Sequence, residues 1–194
     1  MDTDRKWIVV RIDGKLAGIS TDYGRLADIS ARIAKEYRSS GKTMPPYREI
    51  TARTVSFEDV LKMKQTTTWE GMVLFGTDFQ KRVWKRLWDM STSGARLLSY
   101  SDFAELCDNK AGVRAVAHAI GLNPLPVVIP CHLIVPKEAI DRIREIQHKA
   151  ESTIFRGEDL CHTAILNDNA IDFGEYALGK DLKRNLISME MAEK

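Results

Sequence analysis

Residues 109–132 read NKAGVRAVAHAIGLNPLPVVIPCH, and the fold of the chain turns on this stretch. Lys110-Ala111-Gly112 closes a turn, and a helix is predicted from about residue 113 to 121. Asn123-Pro124-Leu125-Pro126 stops that helix, because proline lacks the donor N–H and clashes with the preceding turn. Val127-Val128-Ile129 is a β-branched run, read as an extended segment driving into the core. It ends at Pro130-Cys131-His132, so a cysteine is delivered on a buried, proline-stiffened stretch.

Working outward, residues 100–107 predict a second short helix, with Phe103, Ala104 and Leu106 apolar. Helix, glycine-containing turn, helix is the grammar of a helix-turn-helix, although ordinary helix packing produces the same pattern. Further upstream, Thr77 followed three residues later by Gln80 is a capping-box signal. The helix it starts should run to about Met90, with Phe79, Val83, Leu87 and Met90 as its stripe. Residues 65–71, QTTTWEG, read as a linker and set a boundary between a domain at 1–71 and a domain at 72–194. In the first, 7–20 predict a hairpin turning at Asp13-Gly14. Residues 24–38 predict a helix with Leu26, Ile29, Ile33 and Tyr37 inward. Residues 41–56 read as loop with one strand, and 57–64 as a short helix. Downstream, 137–151 predict a helix with Ile140, Ile143 and Ile146 on one side, and 152–172 read as loop. The block 173–194 reads as a glycine-rich turn and a terminal helix facing Leu182, Leu186 and Met189 inward.

The whole-chain numbers set limits. A chain of 194 residues with 44% apolar residues can bury a core without staples. Its charge of +2 does not force polyanion binding, so a nucleic-acid binder would have to place its cations locally. No run is apolar enough to span a bilayer, and the charged start leads into no signal-peptide core, so an intracellular address and no membrane partner are expected. Three cysteines cannot all pair, and reduced thiols are the expectation.

Thiols attack as thiolates, so a nucleophilic Cys131 needs a base or a positive neighbour. His132 is adjacent in sequence, and Glu190 on the terminal helix could orient it as the third member of a relay. On an extended strand neighbours point to opposite faces, so His132 would need a turn or a bridging water. An inert buried cysteine fits the same residues. Cys161-His162 is a second such pair, read as surface or packing. Neither C-x-x-C nor H-x-x-x-H spacing occurs, so no metal is expected.

The segments GTDFQKRVW (76–84), SYSDFAELC (99–107), AGVRAVAHAIGLNP (111–124), VVIPCH (127–132) and FGEYALGKDLKRNLISME (173–190) together resemble the O6-alkylguanine-DNA alkyltransferases. The resemblance implies a ribonuclease-H-like α/β amino-terminal domain. It implies a mainly α carboxy-terminal domain with a winged-helix-like helix-turn-helix. It implies direct-reversal DNA repair: irreversible, single-turnover transfer of an alkyl group from O6-alkylguanine to Cys131 after base flipping. By position, His132 matches the base acting through a water, Glu190 its carboxylate partner, and Asn123 the hinge asparagine. Tyr100 matches the proton donor to the guanine ring, Lys183 the lysine beside it, and Arg114 the finger that fills the gap of the extruded base. Gln80, Ser101, Asn109 and Lys137 match contacts to the DNA backbone, while Pro126, Tyr176 and Ala177 match the alkyl pocket. The implied partner is the minor groove of double-stranded DNA, bound by a monomer without cofactor. The implied compartment is the nucleus in a eukaryote and the cytoplasm in a prokaryote.

The chain departs from the family pattern at four places. Leu133 replaces the usual arginine after Cys-His, the turn at 93–98 before Tyr100 is one residue longer than usual, and Ala177 stands where serine is frequent. Residues 137–172 replace a connection of several residues and carry more acidic than basic groups, which suits a lid or partner surface better than a DNA arm. Two alternatives remain. One is a non-enzymatic alkyltransferase-like protein that binds and flags lesions. The other is a Cys–His hydrolase, for which no oxyanion hole is identifiable.

Overall fold

The structure is a computed structural model that describes residues 5–39, 49–92, 94, 97–151 and 158–192. It is mixed α/β, with a small sheet, a two-strand pairing and many helices. By contact the chain divides into two compact units, Met1–Asp89 with His118–Cys131, and Met90–Ala117 with His132–Lys194.

The first unit is built on a sheet of strands β1 (Trp7–Ile12), β2 (Lys15–Ser20) and β3 (Ile50–Val55), in the order β2-β1-β3 and antiparallel throughout. The β1–β2 turn is tight because Asp13 (φ 49°) and Gly14 (φ 79°) both take left-handed backbone, as a two-residue hairpin loop requires. A register shift at Val10/Arg11 bends the pair. Helix α1 (Tyr23–Ser39) lies on this sheet and packs Leu26 and Ile33 against Val10, Ile12, Ala17 and Phe75. Ile29 comes so close to Gly18 that an added Cβ there would stand 3.2 Å from its side chain. The side chain of Tyr37, and the backbone of 40–48 within the expected loop, lie outside the described residues.

Helix α2 (Phe57–Thr66) starts at a complete capping box between Ser56 and Asp59. The stretch read as a linker is ordered: α2 runs into it, Trp69–Gly71 is a 3-10 turn, and Val73 donates its N–H to Leu16. Helix α3 (Asp78–Thr92) begins as expected, with the Thr77 N–H on Gln80 Oε1 at 3.0 Å and the Gln80 N–H on Thr77 Oγ1 at 3.2 Å. Its buried face is Val83, Trp84 and Leu87; Phe79 and Met90 are half-buried at the edges. The Trp84 indole donates to the Ala119 carbonyl at 2.8 Å.

In the second unit, β4 (Leu98–Ser99) pairs in parallel with β5 (Ile134–Val135). Helix α4 (Tyr100–Leu106) is capped by Ser99 and buries Phe103 and Ala104. Leu106, the last residue of this helix, is exposed. Helix α5 (Val113–Gly121) follows a 3-10 turn at Lys110–Gly112. Helix α6 (Lys137–Glu151) buries Ile140 and Ile143.

The expectation of loop over 152–172 lies outside the described residues at 152–157 and fails within them, where Glu158–Asn167 is helix α7. Its Ile165 joins Val135, Ala139, Ile140, Ile143, Ile171, Phe173 and Ile187 in one apolar cluster, with Cys161 at the edge. Residues 137–151 and 158–172 thus supply part of the apolar core of their own unit. The terminal helix α8 (Lys180–Ala192) buries Lys183, Leu186 and Ile187, while Leu182 and Met189 are only half-buried. Its inward face is thus rotated from the expected one. No helix among the described residues is long and apolar enough to cross a membrane.

Candidate functional site

In the first unit the site is the segment from Leu122 to Cys131. Helix α5 ends there, and the proline-rich run forms a turn: Pro126 bridges to Ile129, and Val127 takes φ 75°. This corrects the expected extended segment. A β-branched residue in left-handed backbone is strained, and such strain survives only where surrounding contacts over-determine it. Those contacts are evident, since Leu125, Val127, Val128 and Ile129 are all fully buried.

The organiser is Asn123, itself 1% exposed. Its Oδ1 accepts the Leu125 N–H at 3.0 Å, which fixes which end of the amide carries nitrogen. Nδ2 then donates to the Ile129 carbonyl at 2.9 Å and to Cys131 Sγ at 3.0 Å. One side chain thus closes the loop and presents an N–H to the sulfur. A donor on sulfur favours the thiolate, which is the attacking form. Cys131 is 6% exposed, and none of the three cysteines is in a disulfide. Pro126 is buried in this segment. Gln80 is half-buried in the α3 capping box.

Cys131–Leu133 is a 3-10 turn, so the strand rule of opposite-facing neighbours does not apply. In the second unit, His132 is fully buried and its Nε2 stands 3.2 Å from Oε1 of Glu190, whose side chain is 13% exposed. The bond joins residues 58 positions apart, and it orients the imidazole as a carboxylate partner does in a relay. The Tyr176 ring meets the His132 ring edge-on at 6.4 Å between centroids.

Lys183 is a buried cation, 1% exposed. A buried ammonium needs partners. Its Nζ donates to the Ile134 carbonyl at 2.8 Å, stands 3.5 Å from the Glu175 carbonyl, and lies 5.9 Å over the Tyr100 ring. Lys183 and Tyr100 are therefore brought together, as the sequence reading paired them. Gly174 (φ 81°) lets this turn pass close to Pro136, where an added Cβ would sit 3.0 Å away. Leu133, in place of a charged residue, is 1% exposed, so its side chain is core. Ala177 is exposed.

Helix α5 is amphipathic. Val116 and Ala119 are buried, while Ala111 before it, Arg114, Ala115 and His118 are exposed. Arg114 thus stands among small residues on an open face. Ala119 lies on the buried side. Asn109 precedes the 3-10 turn, and Gly112 packs on it so closely that a Cβ would fall 2.4 Å from its amide. Ser101 is exposed and its hydroxyl pairs with Ser99 Oγ. Lys137 is exposed and ion-paired to Asp141.

Two residues escaped the sequence reading. Arg25 and Arg32, two turns apart on α1, donate to the Asn123 carbonyl at 2.8 Å and the Leu122 carbonyl at 2.9 Å. A seven-residue spacing of arginines beside the Leu26–Ile29–Ile33 stripe was the available signal. No group of three or more possible metal ligands occurs among the described residues.

Residues 78–151 match the family described as 6-O-methylguanine DNA methyltransferase, DNA binding domain. A probable methylated-DNA–protein-cysteine methyltransferase of Acanthamoeba polyphaga mimivirus is 44% identical over 64 residues, covering 33% of this chain and 42% of that protein. A methylated-DNA–protein-cysteine methyltransferase of Saccharomyces cerevisiae is 39% identical over 62 residues, 32% of each chain. The chain thus spans less than half the length of these relatives. The crystal structure of O6-methylguanine-DNA methyltransferase from the archaeon Pyrococcus kodakaraensis superposes with a TM-score of 0.50 at 21% identity, over 95% of this chain and 91% of that one, which is a likeness of fold.

Proposed function

We propose, from the match of residues 78–151 to the family described as 6-O-methylguanine DNA methyltransferase, DNA binding domain, that the chain repairs O6-alkylguanine in double-stranded DNA by moving the alkyl group to Cys131. Guanine O6 lies inside the duplex, so the nucleotide must be flipped out, at a cost of a few kcal/mol. The face of α5 bearing Ala111, Ala115 and Arg114 enters the minor groove, and Arg114 fills the vacated stack. Ser101, Asn109, Gln80 and Lys137 serve the DNA backbone, contacts that carry little sequence information.

The chemistry is one displacement at carbon. His132, oriented by Glu190, takes the thiol proton through a water, and the Asn123 amide supports the resulting thiolate. Sulfur attacks the alkyl carbon as the carbon–O6 bond breaks. The electron pair passes into the guanine ring, which takes a proton from Tyr100, while Lys183 holds that region in place. Pro126, Tyr176 and Ala177 line the alkyl pocket. The thioether product has no route back, so each molecule acts once, as a monomer without a cofactor, inside the cell. In fold terms this reading takes 1–71 as a ribonuclease-H-like domain and 72–194 as carrying a winged-helix-like helix-turn-helix.

The observation that carries the proposal is the N–H of a buried asparagine on the sulfur of a buried cysteine, 3.0 Å apart. Intact-mass measurement after incubation with an O6-methylguanine duplex tests it. The expected result is one added methyl group, mapped to Cys131 and absent in Cys131→Ala. Tight lesion binding with no gain in mass would assign the chain to the non-enzymatic lesion binders instead.

A further inference from the structure

We propose that Arg25 and Arg32 are positioning residues for the Cys131 nucleophile, clamping the backbone on which Asn123 reaches the sulfur; the inference rests on the alkyltransferase reading. Three consecutive carbonyls are held from the amino-terminal part of the same unit. Leu122 O accepts from Arg32 Nη1 at 2.9 Å, Asn123 O from Arg25 Nη2 at 2.8 Å, and Pro124 O from the Ile19 N–H of β2 at 2.9 Å. The next contact along the chain is the Asn123 side chain itself, on Ile129 and Cys131. Backbone position on both sides of Asn123 is therefore dictated by α1 and β2.

The clamp has a rigid base. The Arg25 N–H donates to Asp22 Oδ1 at 2.8 Å, which caps the start of α1. Ile29, between the two arginines, is pressed onto Gly18 of β2, next to the Ile19 that holds Pro124. Both arginines act through charged donors, which hold a carbonyl more firmly than neutral ones do.

The arrangement is costly for the arginines, which argues against an incidental contact. Burial, and then the neighbouring Arg25 charge, push Arg32 below the usual guanidinium range, with Asp28 acting the other way. Arg25 Nε is buried and makes no hydrogen bond among the described residues. Two like charges and an unpaired donor are held where one guanidinium nitrogen of each arginine meets the hinge.

The reach of the effect follows from distance. A hydrogen bond to sulfur weakens steeply once the donor drifts by a fraction of an ångström. Freed carbonyls at Leu122 and Asn123 let the hinge shift by that much. The sulfur then loses its donor while the protein stays folded.

The test uses the full chain and a reagent that needs no DNA. Iodoacetamide carbamidomethylates a thiolate with loss of iodide, and peptide mapping isolates the reaction at Cys131 from those at Cys107 and Cys161. For Arg25→Met with Arg32→Met, the Cys131 rate at neutral pH should fall about tenfold and recover at alkaline pH, where the thiolate forms unaided. Lysine at both positions should restore part of the rate. Asn123→Ala should lower the rate similarly, and adding Arg25→Met to it should change little more, because both act through one donor. If the double methionine variant does not fold, Arg25→Met alone gives the same reading. A folded methionine variant with the wild-type pH profile overturns the proposal. Normal iodoacetamide behaviour without methyl transfer from duplex would instead count against the alkyltransferase reading, so the two failures are separable.

Discussion

Replacing Ile165 by alanine tests whether α7 belongs to the core, against the sequence expectation of loop. Ile165 is fully buried in a cluster drawn from β5, α6, α7, α8 and the turn before α8. The substitution removes three carbons, which at ~0.8 kcal/mol each is about 2.4 kcal/mol of lost transfer energy. The cavity term raises the total to about 3–4 kcal/mol, because neighbours held on three helices collapse only in part. Domain stabilities lie at about 5–15 kcal/mol, so the variant should fold but weakly. In urea the midpoint should drop by roughly 1–2 M with an unchanged slope. Equilibrium unfolding followed by circular dichroism measures both. A loss under about 0.5 kcal/mol, the size usual for surface positions, would mean that α7 does not pack as described.

Other outcomes follow from single contacts. Glu190→Gln leaves His132 buried beside a neutral amide, and methyl-transfer rate should fall by at least about tenfold with duplex affinity unchanged, since oriented bases contribute about 10²–10⁴; equal rates in single-turnover assays would remove Glu190 from the relay. Gly76→Ala would place a Cβ 2.8 Å from the Trp84 ring, which the Ala119 carbonyl holds, so about 1–3 kcal/mol should be lost. Gly121→Ala meets nothing within 4 Å and should be neutral or stabilising by about 0.4–1 kcal/mol; thermal melts separate the two. Asp168 lies below the usual aspartate range because the Ala170 N–H and then Arg142 favour its charged form. A lowered folded value contributes stability above the unfolded value and loses it as pH falls through the folded one. The stability gap between wild type and Asp168→Asn should therefore be full at neutral pH and close in acid; a gap independent of pH would contradict this.

Much of the candidate site was legible because its signals are local. Pro124 and Pro126 end α5 wherever they stand, and Thr77 with Gln80 starts α3 from within one turn. The residues themselves pointed to Cys131, His132 and Glu190, and the family resemblance added Asn123, Lys183 and Tyr100. What failed were inferences of phase and environment. Residues 158–167 show no apolar stripe, so α7 was invisible until Ile140, Ile143 and Ile187 supplied the surface that buries Ile165. Leu182 and Met189 of α8 were expected inward, yet Lys183 and Ile187 are buried there instead, because the side that a helix buries is set by its neighbours.

The sequence alone determined the chemistry on offer: a thiol, an imidazole, a carboxylate and a helix pair, in an order that local turn rules made meaningful. Only tertiary structure decided which carbonyl each distant cation holds. Arg25 lies 98 positions from Asn123, and His132 lies 58 from Glu190. Contacts of that span depend on how packed elements bring backbone together, and no local preference encodes the distance between them.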